Sequence, residues 1–325
     1  MAFEIPKDTN PGRVAEVTLG ATSAEGGTRS RTITLGGSTS LPLHFFEGAH
    51  SHRPVIAMEV FDGVPSRFPD VLMDYYRDVI SDPGAMAGKC VGEFGADLIS
   101  VRLEGTHPEK GNKSADEAVE IVRHVLKSVG VPLMVTGPSH FEKANEVMKR
   151  VCEAMAGENC LINYVETDNH KTIAAACIAY HHAIVAQSPI DVNLAKQLNI
   201  LLTEMSFPPG KIVMDPMTGA LGYGLEYTYS IMERIRIEGL AGDKMLAFPM
   251  LINPGPECAR VKETRAPERD FPDWGNLEAR SAYWEIATAA SLLAAGADLL
   301  VMQHPKAVEV LKKKIAGMPY PRRGD

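Results

Sequence analysis

From residue 55 onward the sequence repeats one unit: a short apolar run, a turn, then a segment with apolar residues three and four apart. The apolar runs are "VIAMEVF" (55–61), "DLISVRL" (97–103), "PLMVTG" (132–137), "CLINYV" (160–165), "AIVAQS" (183–188), "KIVMD" (211–215), "MLAFPML" (245–251) and "DLLVMQ" (298–303). Segments with helical spacing follow, among them "ADEAVEIVRHVLKSVG", "FEKANEVMKRVCEAMAG", "NLAKQLNILLTEM" and "AVEVLKKKIAG", with longer ones near 69–94 and 276–296. The runs scarcely alternate between polar and apolar, as expected of parallel strands covered on both faces. Eight such units in series predict an α/β chain closed into a (β/α)8 TIM barrel over residues 55–316. An open doubly wound sheet would carry a glycine-rich turn after its first strand. The turn here is "FDGVPSRFP" (61–69), which is not G-x-G-x-x-G.

Residues 1–54 form a separate N-terminal segment, rich in Gly, Ser and Thr over its first half. Within it "SRTITLGGSTSLPLHFF" (30–46) alternates around Gly36-Gly37 and predicts a β-hairpin that plugs the N-terminal mouth of the barrel. The end, "GMPYPRRGD" (317–325), reads as a flexible tail.

Net charge is −8 with no Lys/Arg-rich block, so a nucleic-acid partner is not expected. No apolar run approaches the roughly 18 residues of a membrane span, and "MAFEIPKDTN" lacks signal-peptide anatomy. A cytoplasmic protein without a membrane partner is the expectation. The five cysteines, Cys90, Cys152, Cys160, Cys177 and Cys258, lie at no metal-ligating spacing and read as core-filling thiols.

Chemistry in such barrels gathers at the C-terminal ends of the strands. Those ends form a polar ring in the sequence. The first strand ends near Glu59 and Asp62, and the second leads to Glu104, Thr106 and His107. The third leads to Thr136, Gly137 and Ser139, the fourth to Glu166, Asp168 and Asn169, and the fifth to Gln187 and Ser188. The sixth gives Asp215 and Thr218, the seventh Asn253, the eighth Gln303 and His304. The loop after the sixth strand adds Gly219, Gly222 and Gly224, which let a ligand approach the backbone. Polar residues near strand ends also cap helices, and Ser114 and Asp191 read as such caps. No catalytic constellation stands out. His181-His182 precede the fifth strand, at the wrong end for chemistry. No lysine ends a strand, and no P-loop or G-x-S-x-G occurs. "DNHKTI" (168–173) approaches the D-x-H-x-x-G cobalamin signature but has Ile173 in place of glycine, so His170 reads as a loop residue.

Five segments carry a resemblance: "PVIAMEVFDG" (54–63), "GADLISVRLEGTHP" (95–108), "VPLMVTGP" (131–138), "IVMDPMTGALGYGLEYTYSIMERIR" (212–236) and "EARSAYWEIATAASLLAAGADLLVMQHP" (278–305). On these the chain resembles the small (delta) subunit of the corrinoid iron–sulfur protein of the acetyl-CoA decarbonylase/synthase system. The resemblance implies a barrel subunit of a heterodimer whose large partner carries a [4Fe-4S] cluster and a mobile corrinoid domain. It implies that the cobalamin lies against the C-terminal face of the small barrel. It also implies a methyl group moved from methyltetrahydrofolate, through a methyltetrahydrofolate methyltransferase, to acetyl-CoA synthase in the reductive acetyl-CoA (Wood–Ljungdahl) pathway. Both cofactor-bearing motifs missing from this chain would then be the partner's.

Barrel position, with the face fixed by the resemblance, makes Thr106, Thr136, Gly137, Gln187, Asp215, Thr218, Gly219, Gly222, Asn253 and Gln303 the candidate corrinoid-contacting residues. The apolar helix "SAYWEIATAASLLAAG" (281–296) is the expected pairing face for the large subunit. Two other readings compete. One is a pterin-binding methyltransferase barrel gripping methyltetrahydrofolate through Asp215 and Asn253. The other is a purely structural subunit. Scattered cysteines predict that the purified chain carries neither iron nor zinc in stoichiometric amount; elemental analysis checks this, and one metal per chain would contradict it.

Overall fold

The computed structural model describes residues 5–65 and 68–320. Two short strands come first, β1 (Val17–Leu19) and β2 (Ile33–Leu35). Eight more follow: β3 (Val55–Phe61), β4 (Leu98–Arg102), β5 (Leu133–Thr136), β6 (Leu161–Val165), β7 (Ala183–Gln187), β8 (Ile212–Asp215), β9 (Met250–Ile252) and β10 (Ala297–Met302). They pair in chain order, all parallel, and β10 closes on β3. The helices are α1 (Asp70–Tyr76), α2 (Pro83–Gly92), α3 (Ala115–Ser128), α4 (Phe141–Ala154) and α5 (His170–Tyr180), then α6 (Val192–Glu204), α7 (Leu225–Ala241), α8 (Pro254–Cys258), α9 (Leu277–Ala294) and α10 (Pro305–Ala316). The (β/α)8 barrel expected from the repeat is therefore the fold.

Local chemistry sets the boundaries. The run at 245–251 yields a strand only from Met250, because Pro249 has no N–H for the ladder; its carbonyl accepts the Met214 amide at 2.8 Å. The long segment at 69–94 divides at Asp82-Pro83. Asp82 accepts the amides of Gly84 and Ala85 at 2.9 and 3.1 Å, and proline fits the first helical position of α2. Ser114 and Asp191 cap α3 and α6 as read from the sequence.

Side chains of a strand alternate between its two faces. Ile56, Met58, Ile99, Val101, Ile184 and Met214 join the cluster shared with the helices, outside the barrel. Val55, Ala57, Leu98, Met134, Leu161, Ala183, Val185, Val213, Leu251, Leu299 and Val301 form a second cluster with no helical member, which is the barrel interior.

Val17, Leu19, Ile33 and Leu35 belong to that interior cluster, so the two-stranded sheet closes the barrel at the starts of its strands. The antiparallel pairing differs from the expected hairpin. Ile33–Leu35 pairs upstream with Val17–Leu19, not across Gly36-Gly37. The reason lies in those glycines, which hold φ of 84° and 79° and bring the chain against Ala15, whose carbonyl would lie 2.0 Å from a Cβ at Gly36. Arg29 ties the segment down. It is buried against Glu158 at 3.0 Å and donates to the carbonyls of Leu126, Val129 and Val131. At the other terminus Tyr320 packs edge-on against Phe45, with ring centroids 4.9 Å apart. Residues 321–325 of the expected tail lie outside the described residues.

Arg29→Ala would leave Glu158 buried without its cation, held only by Thr28. Urea unfolding should show a loss of roughly 3–5 kcal/mol. A loss below about 1 kcal/mol would mean that the pair is not what anchors the segment.

Candidate functional site

Alternation continues past the apolar layers, and at the top of the barrel it turns one polar side chain inward from each strand. These are Glu59, Arg102, Thr136, Asn163, Gln187, Asp215, Asn253 and Gln303, in the order in which the strands pair. Every one is bonded to a neighbour on the ring. Gln303 Nε2 donates to Glu59 Oε2 at 2.6 Å, and Arg102 Nε donates to Glu59 Oε1 at 2.5 Å. Asn163 Nδ2 donates to Thr136 Oγ1 at 3.1 Å. Gln187 Nε2 and Asn253 Nδ2 both donate to Asp215 Oδ2 at 2.9 Å. The ring is thus three hydrogen-bonded groups: a charged one on β10, β3 and β4, a small one on β5 and β6, and an acid held by two amides on β7, β8 and β9.

Burial pushes the Asp215 carboxyl up to about 6 even though three protein N–H groups favour its charged form. The third donor is the Met217 amide, bonded to Oδ1 at 2.8 Å. Below Gln303, Glu285 of α9 accepts the Gln303 and His304 amides at 2.9 and 3.2 Å, and burial raises its carboxyl to about 8.

The loop 215–224 is tied at nearly every residue. Thr218 Oγ1 accepts the Asn253 amide at 2.8 Å, and the Gly219 amide donates to Thr228 Oγ1 at 2.8 Å. Leu221 bonds Thr288 through its amide and Trp284 Nε1 through its carbonyl. A Cβ on Gly219 would sit 2.5 Å from the Gly224 carbonyl, so that glycine serves the turn itself. Gly222 has φ +74° and only Trp284 Cζ2, at 3.9 Å, within reach of a Cβ.

The candidate residues therefore fall into distinct places. Gln187, Asp215, Thr218 and Asn253 share one network, and Gln303 belongs to the charged group opposite. Gly137 donates its amide to Asn163 O, and a side chain there would meet Met148 at 3.1 Å. Thr106 is not on the ring. Its hydroxyl is wholly buried and donates to Leu103 O at 2.6 Å within a 3₁₀ turn. His170 is buried at the start of α5 and bonds Thr167 O through Nδ1. His182 packs below the barrel between Cys160 N and Cys152 O, and burial lowers it to about 4. Glu59, Arg102 and Asn163 complete the ring beyond the ten candidates. The signal for them was parity: each lies an even number of residues after an inward apolar residue of its own strand.

A cavity of about 670 Å³ opens beside the charged group, lined by Arg102, Tyr164, Phe61 and Gln303 among others. Among the described residues no three His, Cys, Asp or Glu side chains are placed to hold a metal ion, and no helix is long and apolar enough to cross a membrane. All five cysteines are buried.

Asp215 ionises near 6 in the fold and near its ordinary 3.8 when unfolded. Between those values the folded chain holds the extra proton, so stability falls as pH rises and the loss is complete above the upper value. Asp215→Asn removes this term. Relative to the parent, the variant should gain about 2 kcal/mol in unfolding free energy between pH of about 4 and about 7. An unchanged difference across that range would mean the carboxylate is not held in a raised state.

Residues 16–313 match the family described as CO dehydrogenase/acetyl-CoA synthase delta subunit. The acetyl-CoA decarbonylase/synthase complex subunit delta of Archaeoglobus fulgidus is 42% identical, over 96% of this chain and 70% of its own length. The subunit delta of Methanocaldococcus jannaschii is 34% identical, over 96% of this chain and 75% of its own. Among solved structures, dihydropteroate synthase of Xanthomonas albilineans bound to indole-2-carboxylic acid and 6-chloroguanine superposes with a TM-score of 0.55 at 17% identity, over 83% of this chain and 94% of that one. The dihydropteroate synthase of Thermus thermophilus in complex with 6HMPPP gives a TM-score of 0.52 at 17% identity, over 85% and 98%. At such identity the likeness is one of fold. The family match and the extent of the sequence similarity place this chain in the CO dehydrogenase/acetyl-CoA synthase delta subunit family.

Proposed function

We propose that this chain is the delta subunit of an acetyl-CoA decarbonylase/synthase complex of the acetyl-CoA pathway, and that the top of its barrel faces a corrinoid held by a large, [4Fe-4S]-bearing partner. In this reading it is the cap of a methyl carrier, served by a methyltetrahydrofolate methyltransferase and delivering to acetyl-CoA synthase. The observation that carries the reading is the polar ring. Its carboxylates are already bonded to side chains of the same chain, which leaves a rigid platform without a poised nucleophile or base.

The residues present fit a corrinoid by their chemistry. Such a ring carries many amide arms, and Gln187 and Asn253 each spend one N–H on Asp215, which leaves a carbonyl and a second N–H per amide. The open approach at Gly222 suits a broad, flat body. When bound, the corrinoid would supply methyl–cobalt chemistry; this chain's residues orient it and keep water away. The exposed side of α9, with Tyr283 68% exposed, is the surface proposed for the large subunit.

The pterin-binding alternative has less support. Asp215 is wholly buried and accepts three hydrogen bonds within the chain, which leaves little of the carboxylate to grip a pterin.

Expression with and without a large subunit tests the reading. The chain alone should purify free of corrinoid and should not bind methyltetrahydrofolate tightly. With the partner, Gly222→Phe should slow methyl transfer while subunit pairing survives. Asp215→Asn should cost about tenfold or less, the worth of one rearranged hydrogen bond. Tight methyltetrahydrofolate binding by the lone chain would favour the pterin reading. A many-thousandfold loss in Asp215→Asn with corrinoid bound normally would make the carboxylate catalytic.

A further inference from the structure

The cavity beside the charged group differs from the rest of the mouth in sign. The chain carries net charge −8, yet four cations, Arg102, Lys110, Arg260 and Arg265, line this cavity against two carboxylates, Glu59 and Glu104. Arg102 is the innermost of them, at the end of β4 with its side chain 22% exposed. Glu59 takes its Nε, and the neighbouring carboxylate outweighs burial to keep the guanidinium's pKa raised. Among the described residues the two terminal nitrogens of Arg102 have no hydrogen-bond partner. A guanidinium fixed at Nε presents those nitrogens as a fork, the geometry that takes an oxyanion through two parallel bonds. Gln303 Oε1, also at the cavity, is buried with no partner.

Besides His107 and Ser139, the remaining wall is mostly apolar. Phe61, Phe68, Tyr164, Pro138 and Pro256 line it, and the first two rings meet edge to face at 5.5 Å. The volume, about 670 Å³, is that of a small-molecule site and too confined for a corrin macrocycle with its arms. Lys110 is paired with Glu104, and Arg260 with Glu257 at 3.0 Å, so two of the three rim cations already have a carboxylate, while the Arg102 fork is left for an incoming group.

We propose that this cavity binds a small organic anion: a carboxylate or phosphate held end-on by Arg102, with a compact flat body against the aromatic and proline wall. Glu59 acts as a positioning residue that sets the fork and moderates its charge. The site is separate from the group around Asp215, and its occupancy does not depend on a corrinoid.

Calorimetric titration of the purified full chain tests this, with benzoate and phenyl phosphate as probes and benzamide as the uncharged counterpart. The anions should bind with micromolar to millimolar dissociation constants, more weakly as salt rises, and benzamide should not bind. The tighter anion identifies the head group. Glu59→Gln, which retains a hydrogen-bond acceptor for Arg102 without its charge, should tighten binding severalfold. Arg102→Gln alone would leave Glu59 buried and unpaired, so the informative variant is Glu59→Gln with Arg102→Gln, which should lose about tenfold or more. Three results would overturn the proposal: no anion binding by the folded chain, benzamide binding equal to benzoate, or the double variant binding like the parent.

Discussion

The two-residue period of a strand, closed into a cylinder, governs this molecule. Once the barrel closes, every second side chain has nowhere to go but the lumen, and the lumen must be filled. The sequence fills it with Val, Leu, Ala and Met from below, and the β1–β2 sheet seals the bottom with four more apolar side chains. At the top the same parity admits one polar side chain per strand, and there the composition changes from aliphatic to Glu, Arg, Thr, Asn, Gln and Asp. Eight polar groups converging within a barrel's width would be costly if left unpaired. They are tolerated because neighbours in the ring are chemically matched: acid with guanidinium and amide, hydroxyl with amide, acid with two amides.

That same constraint explains what could be read before the fold was known. The eight strands were legible because parallel strands buried on both faces are apolar runs of fixed length, and the helices because their inward faces repeat every three to four residues. Asp215, Gln187, Asn253 and Gln303 were legible as polar residues closing apolar runs. Arg102 and Asn163 sit inside their runs and escape a search for polar endings, whereas Glu59 was legible near the first strand's end but was not counted among the ten contacts. Thr106 shows the converse. It follows a strand end in sequence, but a 3₁₀ turn intervenes and folds its hydroxyl back on Leu103. The pairing of β2 with a strand upstream was hidden because Val17–Leu19 is three residues long, too short for any periodicity to show.

Electrostatics divides the ring further. Asp215 is wholly buried and held by neutral donors, so burial outweighs its hydrogen bonds and its carboxyl rises to about 6. Glu285, with only two backbone amides to favour its charge, rises to about 8. Glu59 is as deeply buried but pairs with Arg102 at 2.5 Å, so that side of the ring holds an ion pair where Asp215 has only neutral donors. The distinction follows from one residue: Arg102 is the only cation among the eight inward positions.

A mouth with two electrical characters can serve two ligands. A broad ring with amide arms gains little from an ion pair whose charges already match, whereas unspent amide groups and an open glycine can bond and admit it. A small anion has the opposite preference. The loop 215–224 stands on the Asp215 side, fixed to α7 and α9 through Thr228, Thr288 and Trp284, so a body resting there meets a firmly tied surface. The cavity with Arg102 lies across the barrel, bordered by the loops after β3, β4 and β9. Both sides are joined beneath the mouth through β9 and β10, where Asn253 belongs to one group and Gln303 to the other, and these two strands are hydrogen-bonded neighbours. A shift of either amide toward a ligand would be felt first by the carboxylate it holds, Asp215 or Glu59, which makes that pair of strands the shortest physical path by which occupancy on one side could bias the other.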